Sequence, residues 1–371
     1  MNAADPIALI TEGLFADDPA TRKQTRAALA ALPDPAVSAY FQADKRNVHT
    51  IADAAKVGKL LAEYEGLGLD GFALAVALLR AQRPTGQMGV QGLQFEGALA
   101  AALRHPGREP EVFEALSDVQ EVYLPPTKKT LWPGLSRLRA MVYLRVPHGT
   151  LRAADHVAEL AAIPQRFRLS LWVKDVDLAL WDAARLNVSG LDLRGAYSNL
   201  SDASPLAGWT NLQRLDLGST GISDVSPLRG LGLEVLHIGE TKVADLTPIA
   251  GMSTLRHLRL TRLMHADLAP VWGLTGLEHL DLAFTRVSDL APLRALTRLR
   301  TLDLWGTRVA SFEPLVDLPL EQVSANHAVV PDLAPLARIK TLRALSIVGT
   351  AADAPGLEAL VRERPDVTIS R

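Results

Sequence analysis

Cysteine is absent from the 371 residues of this chain. The absence excludes disulfide bonds, thiolate nucleophiles and zinc or iron–sulfur sites with cysteine ligands. Long apolar runs are absent as well, because no stretch approaches the roughly 18 uninterrupted apolar residues of a membrane-spanning helix. We therefore expect neither a disulfide-stabilised fold nor a segment that spans a membrane.

The chain also lacks an excess of charge of either sign. Its 39 lysine and arginine residues nearly balance 41 aspartate and glutamate residues, which gives a net charge of -2 and a pI near 6.5. This balance gives no general attraction to phosphate backbones or anionic lipid, so we expect no nucleic-acid or membrane partner. The acidic residues 1–20 lack the basic start and long apolar run of a signal peptide. These features predict a cytoplasmic protein.

The composition that remains is that of a folded globular chain, with 48% hydrophobic and 22% charged residues. It has neither the low hydrophobicity nor the charge excess of a disordered chain. A chain of 371 residues exceeds one ordinary core, so the length predicts two domains or an extended repeat array.

A short phrase recurs through the second half of the sequence. Its copies begin at Leu212, Leu233, Leu255, Leu277, Leu299, Leu320 and Leu342, at intervals of 21 or 22 residues. The phrase reads L-x-x-L-x-L-x-x-T-x-V-x-D-L-x-P-L and is clearest from Leu277 to Leu293. Two of its leucines lie two residues apart and therefore point to one side of a short strand. The fixed period predicts that these strands stack in parallel.

Two polar positions of the phrase predict how each coil turns. The threonine follows the strand, and we expect its hydroxyl to satisfy backbone groups and to form a ladder between coils. The aspartate precedes apolar-x-Pro, which predicts an N-cap with proline in the first turn of a very short helix. The threonines are Thr220, Thr241, Thr285, Thr307 and Thr350, and the aspartates are Asp224, Asp245, Asp267, Asp289 and Asp332.

The phrase resembles the leucine-rich-repeat family and, within it, the short bacterial internalin-like class. The resemblance covers residues 188–350 and implies an α/β solenoid, a horseshoe whose parallel sheet lines the concave side. Extracellular members often seal their ends with disulfides, so the absence of cysteine again favours the cytoplasm. An excess of arginine over lysine points to a bacterial source.

The rest of the chain divides around this array. Residues 1–117 carry capped amphipathic patterns and predict an all-α domain, for which a compact bundle, a stack of helix pairs and a death-fold-like adaptor all remain open. Residues 118–187 resemble degenerate early repeats. Residues 351–371 offer an amphipathic helix and a final strand, which predict a C-terminal cap.

Equivalent positions of neighbouring coils lie about 4.8 Å apart in a parallel sheet, so columns of neighbours can be read from the sequence. The second position of the phrase alternates in sign through Glu234, Arg256, Glu278, Arg300, Glu321 and Arg343. We expect these residues to pair along the column and to help fix its register. The fifth position faces the concave side and holds Asp192, Asp216, His237, Arg259, Asp281, Asp303, Ser324 and Ser346.

The candidate binding residues lie at the centre of the array. They are His237, His257, Arg259, His279, Asp281, Phe284, Asp303 and Trp305. Like charges are unfavourable as neighbours, and Arg259 can offset Asp281, whereas nothing in the column offsets Asp303. This predicts a partner that brings a basic residue, although simple solvation of the carboxylate is an equal alternative.

Aromatic residues accompany these charges. Trp305 occupies a strand-end position where other coils carry Gly218, Gly239, Thr261 or Ala283, and Phe284 lies one position further along in the preceding coil. An exposed aromatic beside charges is typical of an interface anchor. The alternative is a tryptophan that folds onto its own repeat.

Chemistry-bearing motifs give no support for an enzyme. The string from Gly66 to Gly71 matches G-x-G-x-x-G, but a predicted helix rather than a strand precedes it, which favours a helix C-cap and turn. The column histidines His237, His257 and His279 should lie parallel rather than converge on a metal. We therefore expect no catalytic residue, metal or cofactor.

The sequence thus predicts a protein-interaction module that binds a partner protein on the concave face. One alternative is a sensor or autoinhibitory array that signals through the helical domain. Another is an enzyme with its site in the helical domain or at the junction of that domain with the early repeats, where the irregular segment from Leu124 to Pro147 could form a cleft. The oligomeric state stays open, as does the role of the coil from Leu255, in which Leu263 replaces the threonine.

Overall fold

The computed structural model describes residues 5–15, 18–43, 54–81, 98–105, 107–124, 134–146, 154–171, 186–195, 200–264, 267–329, 332–349 and 355–371. The chain forms two compact units, Met1–Phe167 and Arg168–Arg371. In the described part of the chain, no helix is both long enough and apolar enough to cross a membrane.

The first unit begins with helices, as the amphipathic patterns predict. They are α1 (Pro6–Ala8), which continues as a π-helical turn (Leu9–Leu14), α2 (Pro19–Ala30), α3 (Pro35–Ala43), α4 (Ala54–Glu65), α5 (Gly71–Ala81) and α6 (Glu109–Ala115), and residues 98–102 are also helical. Helix α2 begins where Asp18 accepts the backbone N–H groups of Ala20 and Thr21 at 3.2 and 2.7 Å. The helices bury a core that includes Phe41 and Tyr64, whose ring centroids lie 5.5 Å apart.

The glycine-rich string between α4 and α5 is a helix end, as predicted. The Gly66 amide donates to the Ala62 carbonyl at 3.1 Å, and the Gly68 amide donates to the Glu65 carbonyl at 2.9 Å. Gly68 has a φ of +87°, which glycine adopts without steric cost. The string therefore terminates one helix and leads into the next.

Two short parallel strands and one more helix follow in the first unit. They are β1 (Glu121–Tyr123) and β2 (Tyr143–Val146), with Val122 opposite Leu144, and helix α7 (Ala154–Ala161) follows them. The segments interpreted as degenerate repeats at residues 119 and 138 thus lead into strands. The proposed division at residue 117 remains a prediction, and these strands group with the helices in one compact unit.

The second unit is a solenoid whose strands follow one another in sequence order. They are β3 (Phe167–Leu171, which begins at the last residue of the first unit), β4 (Val188–Asp192), β5 (Arg214–Asp216), β6 (Val235–His237), β7 (His257–Arg259), β8 (His279–Asp281), β9 (Thr301–Asp303), β10 (Gln322–Ser324), β11 (Ala344–Ser346) and β12 (Thr368–Ser370). Every neighbouring pair from β4 to β12 is parallel. This confirms the α/β repeat fold that the phrase predicts.

Short 3-10 helices return the chain from strand to strand. They are Ser204–Gly208, Ser226–Leu228, Thr247–Ile249, Ala269–Gly273, Ala291–Ala295, Glu313–Leu315 and Ala334–Arg338, and each has proline in its first turn. The predicted brief helix is thus present. Helix α8 (Leu357–Glu363) and strand β12 form the predicted helix and strand of residues 351–371.

The turn aspartates lie one position before the N-cap of each short helix, whereas the sequence predicts them at the N-cap itself. In the coil from Leu277, Leu290 is the N-cap and Asp289 precedes it, yet its carboxylate still accepts the Ala291 amide at 2.8 Å. The same bond recurs from the residue two positions after Asp224, Asp245, Asp267 and Asp332. A carboxylate that accepts the backbone amide two residues later forms an Asx-turn, and this turn leads directly into the short helix.

The predicted threonine ladder between coils is wrong. The Thr285 hydroxyl donates to the Leu282 carbonyl at 2.6 Å, and Thr307 donates to Leu304 at the same distance. Thr220 and Thr241 form the equivalent bond, and Thr350 lies outside the described residues. Each threonine therefore bonds within its own coil, to the carbonyl three residues earlier.

Candidate functional site

The candidate residues lie on one face of the strands, because each three-residue strand from β5 to β11 buries its middle side chain. In β8 the side chain of Leu280 is 2% exposed, whereas His279 and Asp281 are half-buried on the opposite side. We call this second side the sheet face. The predicted fifth-position column is confirmed by the pairing of His237 with Arg259, of Arg259 with Asp281 and of Asp281 with Asp303.

His257 and His279 form a stacked pair on the sheet face. Their ring centroids lie 4.1 Å apart and the rings are 11° from parallel. Partial burial lowers the pKa of His257, and the neighbouring His279 and Arg214 lower it further. His257 therefore resists protonation, and the two parallel rings do not direct their nitrogens at one point.

His237 lies on the strand next to that of His257 and bonds to an aspartate on its other side. Its Nδ1 lies 3.0 Å from Oδ2 of Asp216, and Oδ1 of Asp216 accepts the Gly218 amide at 2.9 Å. Burial acts to raise the pKa of Asp216, but the hydrogen bonds from His237 and Gly218, with the charge of Arg194, outweigh it and hold the pKa below its ordinary value. The His237 side chain thus bonds to Asp216, although its other neighbour in the column is the candidate residue Arg259.

Asp281 has the compensating partner that the sequence predicts. Arg259 approaches its Oδ2 with Nε at 3.0 Å, and the Thr261 hydroxyl donates to the same oxygen at 2.8 Å. The Ala283 amide donates to Oδ1 at 2.9 Å. Both oxygens of this carboxylate are therefore occupied by groups of the chain itself.

Asp303 differs from Asp281 in the charge around it. Its Oδ1 accepts the Trp305 amide at 2.9 Å, and the Ser324 hydroxyl bonds to the same side chain. Within the described ranges no basic side chain forms an ion pair with it. Burial raises the pKa of Asp303, and the charge of Asp281 raises it further, against the hydrogen bonds from Trp305 and Ser324 and the charge of Arg259. The fold therefore holds this carboxylate in a setting that disfavours its charge.

The aspartates of this column have a structural role that sequence reasoning missed. In four coils Oδ1 accepts the amide two residues ahead, at Arg194, Gly218, Ala283 and Trp305. The recurrence of aspartate at the last strand position is the signal that could have shown it, since aspartate commonly bonds to its own backbone in turns. One oxygen of each carboxylate thus holds the turn that follows its strand.

Asp216 and Asp303 should respond oppositely to removal of their charge. The pKa of Asp216 is lowered in the folded state, so its stabilising contribution is present above the unfolded pKa and is lost as pH falls through the folded pKa. The pKa of Asp303 is raised, so ionisation costs stability above that pKa and the cost disappears on acidification.

At neutral pH we therefore expect Asp216→Asn to lower the free energy of unfolding by about 1 kcal/mol, because a hydrogen bond to a charged group is weakened. Asp303→Asn should leave it unchanged or raise it. Urea unfolding of both variants, from acidic to neutral pH, measures the difference. Equal losses for the two variants at neutral pH would contradict the assignment.

Three planar side chains stack beside Asp303, and we call them the aromatic ladder: Phe284, Trp305 and His327. The centroid of Trp305 lies 5.6 Å from that of Phe284, with the planes tilted by 37°, and 5.9 Å from that of His327, with the planes 21° from parallel. Trp305 is 40% exposed. The tryptophan is therefore held between two rings of neighbouring coils, and His327 is a member that sequence reasoning missed.

The charged column at the second position pairs less completely than predicted. Arg256 pairs with Glu278 at 3.9 Å, and Arg300 pairs with Glu321 at 2.5 Å. Arg256 also donates to the carbonyl groups of Ser253 and Leu255. An uninterrupted chain of ion pairs is thus wrong, because the arginine reaches backbone carbonyls that compete with the next carboxylate.

Two further predicted features are the irregular coil from Leu255 and the segment from Leu124 to Pro147. In the coil from Leu255, Leu263 is buried where other coils bury threonine, and Met264 is 44% exposed. The segment from Leu124 to Pro147, predicted as a cleft of an enzyme, lies outside the described residues at 125–133 and 147. Among the described residues no group of three metal-binding side chains occurs.

Comparison with known proteins identifies the repeat. The family model described as leucine-rich repeats (2 copies) matches residues 275–317, the coils that carry Asp281, Phe284, Asp303 and Trp305. No curated protein matches the chain.

Solved structures share the fold. An internalin (inlF) from Listeria monocytogenes str. 4b F2365 is 21% identical with a TM-score of 0.55, over 73% of this chain and 86% of that one. TLR13, solved in a complex with ssRNA13, is 17% identical with a TM-score of 0.54, over 69% of this chain and 39% of that one. At these identities the likeness concerns the fold alone.

Proposed function

We propose that the chain, which matches the leucine-rich-repeat model over residues 275–317, binds a partner protein on the sheet face and carries out no catalysis. The proposed site comprises His257, Arg259, His279, Asp281, Phe284, Asp303 and Trp305, with His237 at its margin. The observation that carries the proposal is the exposed Trp305 beside Asp303, a half-buried carboxylate without a basic partner among the described residues.

Two physical arguments support this reading. Tryptophan dominates the energetics of protein interfaces when it is rigidly held, and the neighbouring rings of Phe284 and His327 restrict Trp305 before any partner arrives. In addition, burial raises the pKa of Asp303, so ionisation of this carboxylate lowers the stability of the fold. A residue that costs stability is commonly one that serves function. A basic residue of a partner would supply the missing charge.

Affinity measurements with the full chain test the proposal. A partner obtained by pull-down from the native host would be titrated with the wild type, Trp305→Ala and Asp303→Lys by calorimetry. We expect each variant to weaken binding by about tenfold or more, since loss of an interface anchor commonly costs this much. Unchanged affinity for both variants would overturn the proposed site.

Matched controls separate binding from folding. Asp289→Lys reverses the charge of an exposed aspartate in a turn, where it makes the same carboxylate-to-amide bond as Asp303. Val361→Ala truncates a side chain with the same 40% exposure as Trp305. Both controls should bind the partner with wild-type affinity, and a loss equal to that of the site variants would show that the site variants act through the fold.

A further inference from the structure

Glycines shape the aromatic ladder. The third residue after each strand from β5 to β11 has a positive φ, and these residues are Ser219, Glu240, Arg262, Phe284, Gly306, His327 and Gly349. A Cβ atom on Gly306 would lie 2.7 Å from Cδ1 of Phe284, and one on Gly349 would overlap the ring of His327. Each ring thus occupies the space that the glycine of the next coil leaves open. Phe284 and His327 are therefore fixed in place, although bulky residues adopt a positive φ only at a cost.

The two ends of the ladder differ in character. At the Phe284 end, the guanidinium of Arg262 lies 5.0 Å from the ring centroid and pairs with Glu240 at 3.4 Å. At the His327 end, the exposed Val348 accepts the His327 amide at 2.9 Å through its carbonyl. The ladder is therefore bounded by an ion pair at the Phe284 end and by an exposed valine at the His327 end.

The structure disfavours three kinds of ligand at this surface. Strand addition needs a free sheet edge, whereas β8, β9 and β10 are each paired on both sides. A cage for a quaternary ammonium group needs ring faces around one point, whereas these rings stack in a row. Single-stranded nucleic acid needs a positively charged groove, whereas Asp281 and Asp303 lie beside the row.

A polyproline II segment fits a row of rings on a sheet whose backbone groups are already paired. Its backbone is fully solvated, so it asks for no hydrogen bonds from the paired sheet behind the rings. Aromatic surfaces recognise such segments. Two residues of a polyproline II helix span about 6 Å, close to the 5.6 and 5.9 Å between successive rings of the ladder.

We propose that the aromatic ladder binds a proline-rich segment in the polyproline II conformation, with an arginine or lysine of that segment paired to Asp303. The inference rests on the proposed function and specifies the chemistry of the partner. The prolines would pack on Trp305 and the adjoining rings of Phe284 and His327. The basic residue would occupy the side of the ladder where Asp303 lacks an ion pair.

Selection from a displayed library of random dodecapeptides on the full chain tests this proposal. We expect the selected peptides to share at least two prolines and one arginine or lysine. Their binding should weaken about tenfold or more in Trp305→Ala and in Asp303→Asn, which keeps the acceptor for the Trp305 amide. Val361→Ala and Asp289→Asn are the matched controls and should bind these peptides as the wild type does.

Two outcomes would overturn the inference while leaving the proposed function intact. Peptides that depend on Trp305 but lack proline would show a protein-binding site of other chemistry, and so would a pulled-down partner whose Trp305-dependent segment lacks proline. A labelled single-stranded uridine oligonucleotide that bound the wild type but not Trp305→Ala would assign the ladder to nucleic acid and would overturn the proposed function as well. Failure of the proposed function is a different result, in which neither peptide nor partner binding responds to Trp305→Ala or Asp303→Lys.

Discussion

Replacement of Phe312 by alanine is expected to lower the free energy of unfolding by about 3–5 kcal/mol, the usual cost of emptying a buried phenylalanine site. Phe312 is 0% exposed and precedes the 3-10 helix Glu313–Leu315. It belongs to the coil from Leu299, which also carries Asp303 and Trp305, so the cavity would lie in the coil that holds the candidate site.

The neighbouring coils supply the control for this prediction. They bury leucine at the equivalent position, at Leu290 and Leu333. Phe312→Leu should therefore cost only about 1–1.5 kcal/mol, because most of the volume is kept. Urea unfolding followed by circular dichroism gives both values. A loss below about 1 kcal/mol for Phe312→Ala would mean that the adjacent coils close over the space.

Hydrogen exchange adds a spatial readout to the Phe312 experiment. In a repeat array each coil contacts its neighbours, so a weakened coil opens first and takes adjacent coils with it. In Phe312→Ala, we expect the exchange rates of the amides in β8, β9 and β10 to increase over the wild type by more than those of the amides in β5. Uniform acceleration along the array would contradict this local effect.

The sequence predicts the solenoid well because one physical constraint repeats in every coil. Leu280 must be buried while His279 and Asp281 are not, and the same alternation at each interval of 21 or 22 residues fixes which strands pair and in what register. A slip by one residue would expose every leucine, so the pattern specifies the columns directly.

Side-chain bonding within the columns is less predictable. The Thr307 hydroxyl could reach the next coil or its own, and the geometry of the turn selects the Leu304 carbonyl. Arg256 likewise has carbonyls as well as carboxylates within reach. Sequence spacing places a residue in its column but does not select among several acceptors at similar distances.

The aromatic ladder shows the same limit. Trp305 and Phe284 stand out in the sequence because other coils hold small or polar residues at their positions. His327 does not, because its role depends on Gly349, which is 22 residues later and leaves room for the ring. The backbone strain at Phe284 also becomes visible only as a positive φ of 55°.

Replacement of Arg364 by methionine is expected to release the last strand of the sheet. Arg364 lies just after α8, its side chain is only 15% exposed, and it donates to the carbonyl groups of Ile339 and Leu342 at 2.5 and 2.8 Å. Hydrogen bonds from a charged group contribute about 1.5–3 kcal/mol each, and methionine would leave two carbonyls unsatisfied. We expect a loss of about 2–4 kcal/mol in the local stability of β12.

The measurement is hydrogen exchange at the amides that join β11 and β12, such as the Ile347 amide that donates to Ser370. Arg362→Met is the matched control on the same helix, because Arg362 is 77% exposed and forms only a 3.6 Å pair with Glu363. Arg364→Lys should recover only part of the protection, since an ammonium group lacks the planar fork that reaches both carbonyls. Unchanged exchange in Arg364→Met would mean that the apolar side of α8, through the buried Leu357 and Leu360, holds β12 without the arginine.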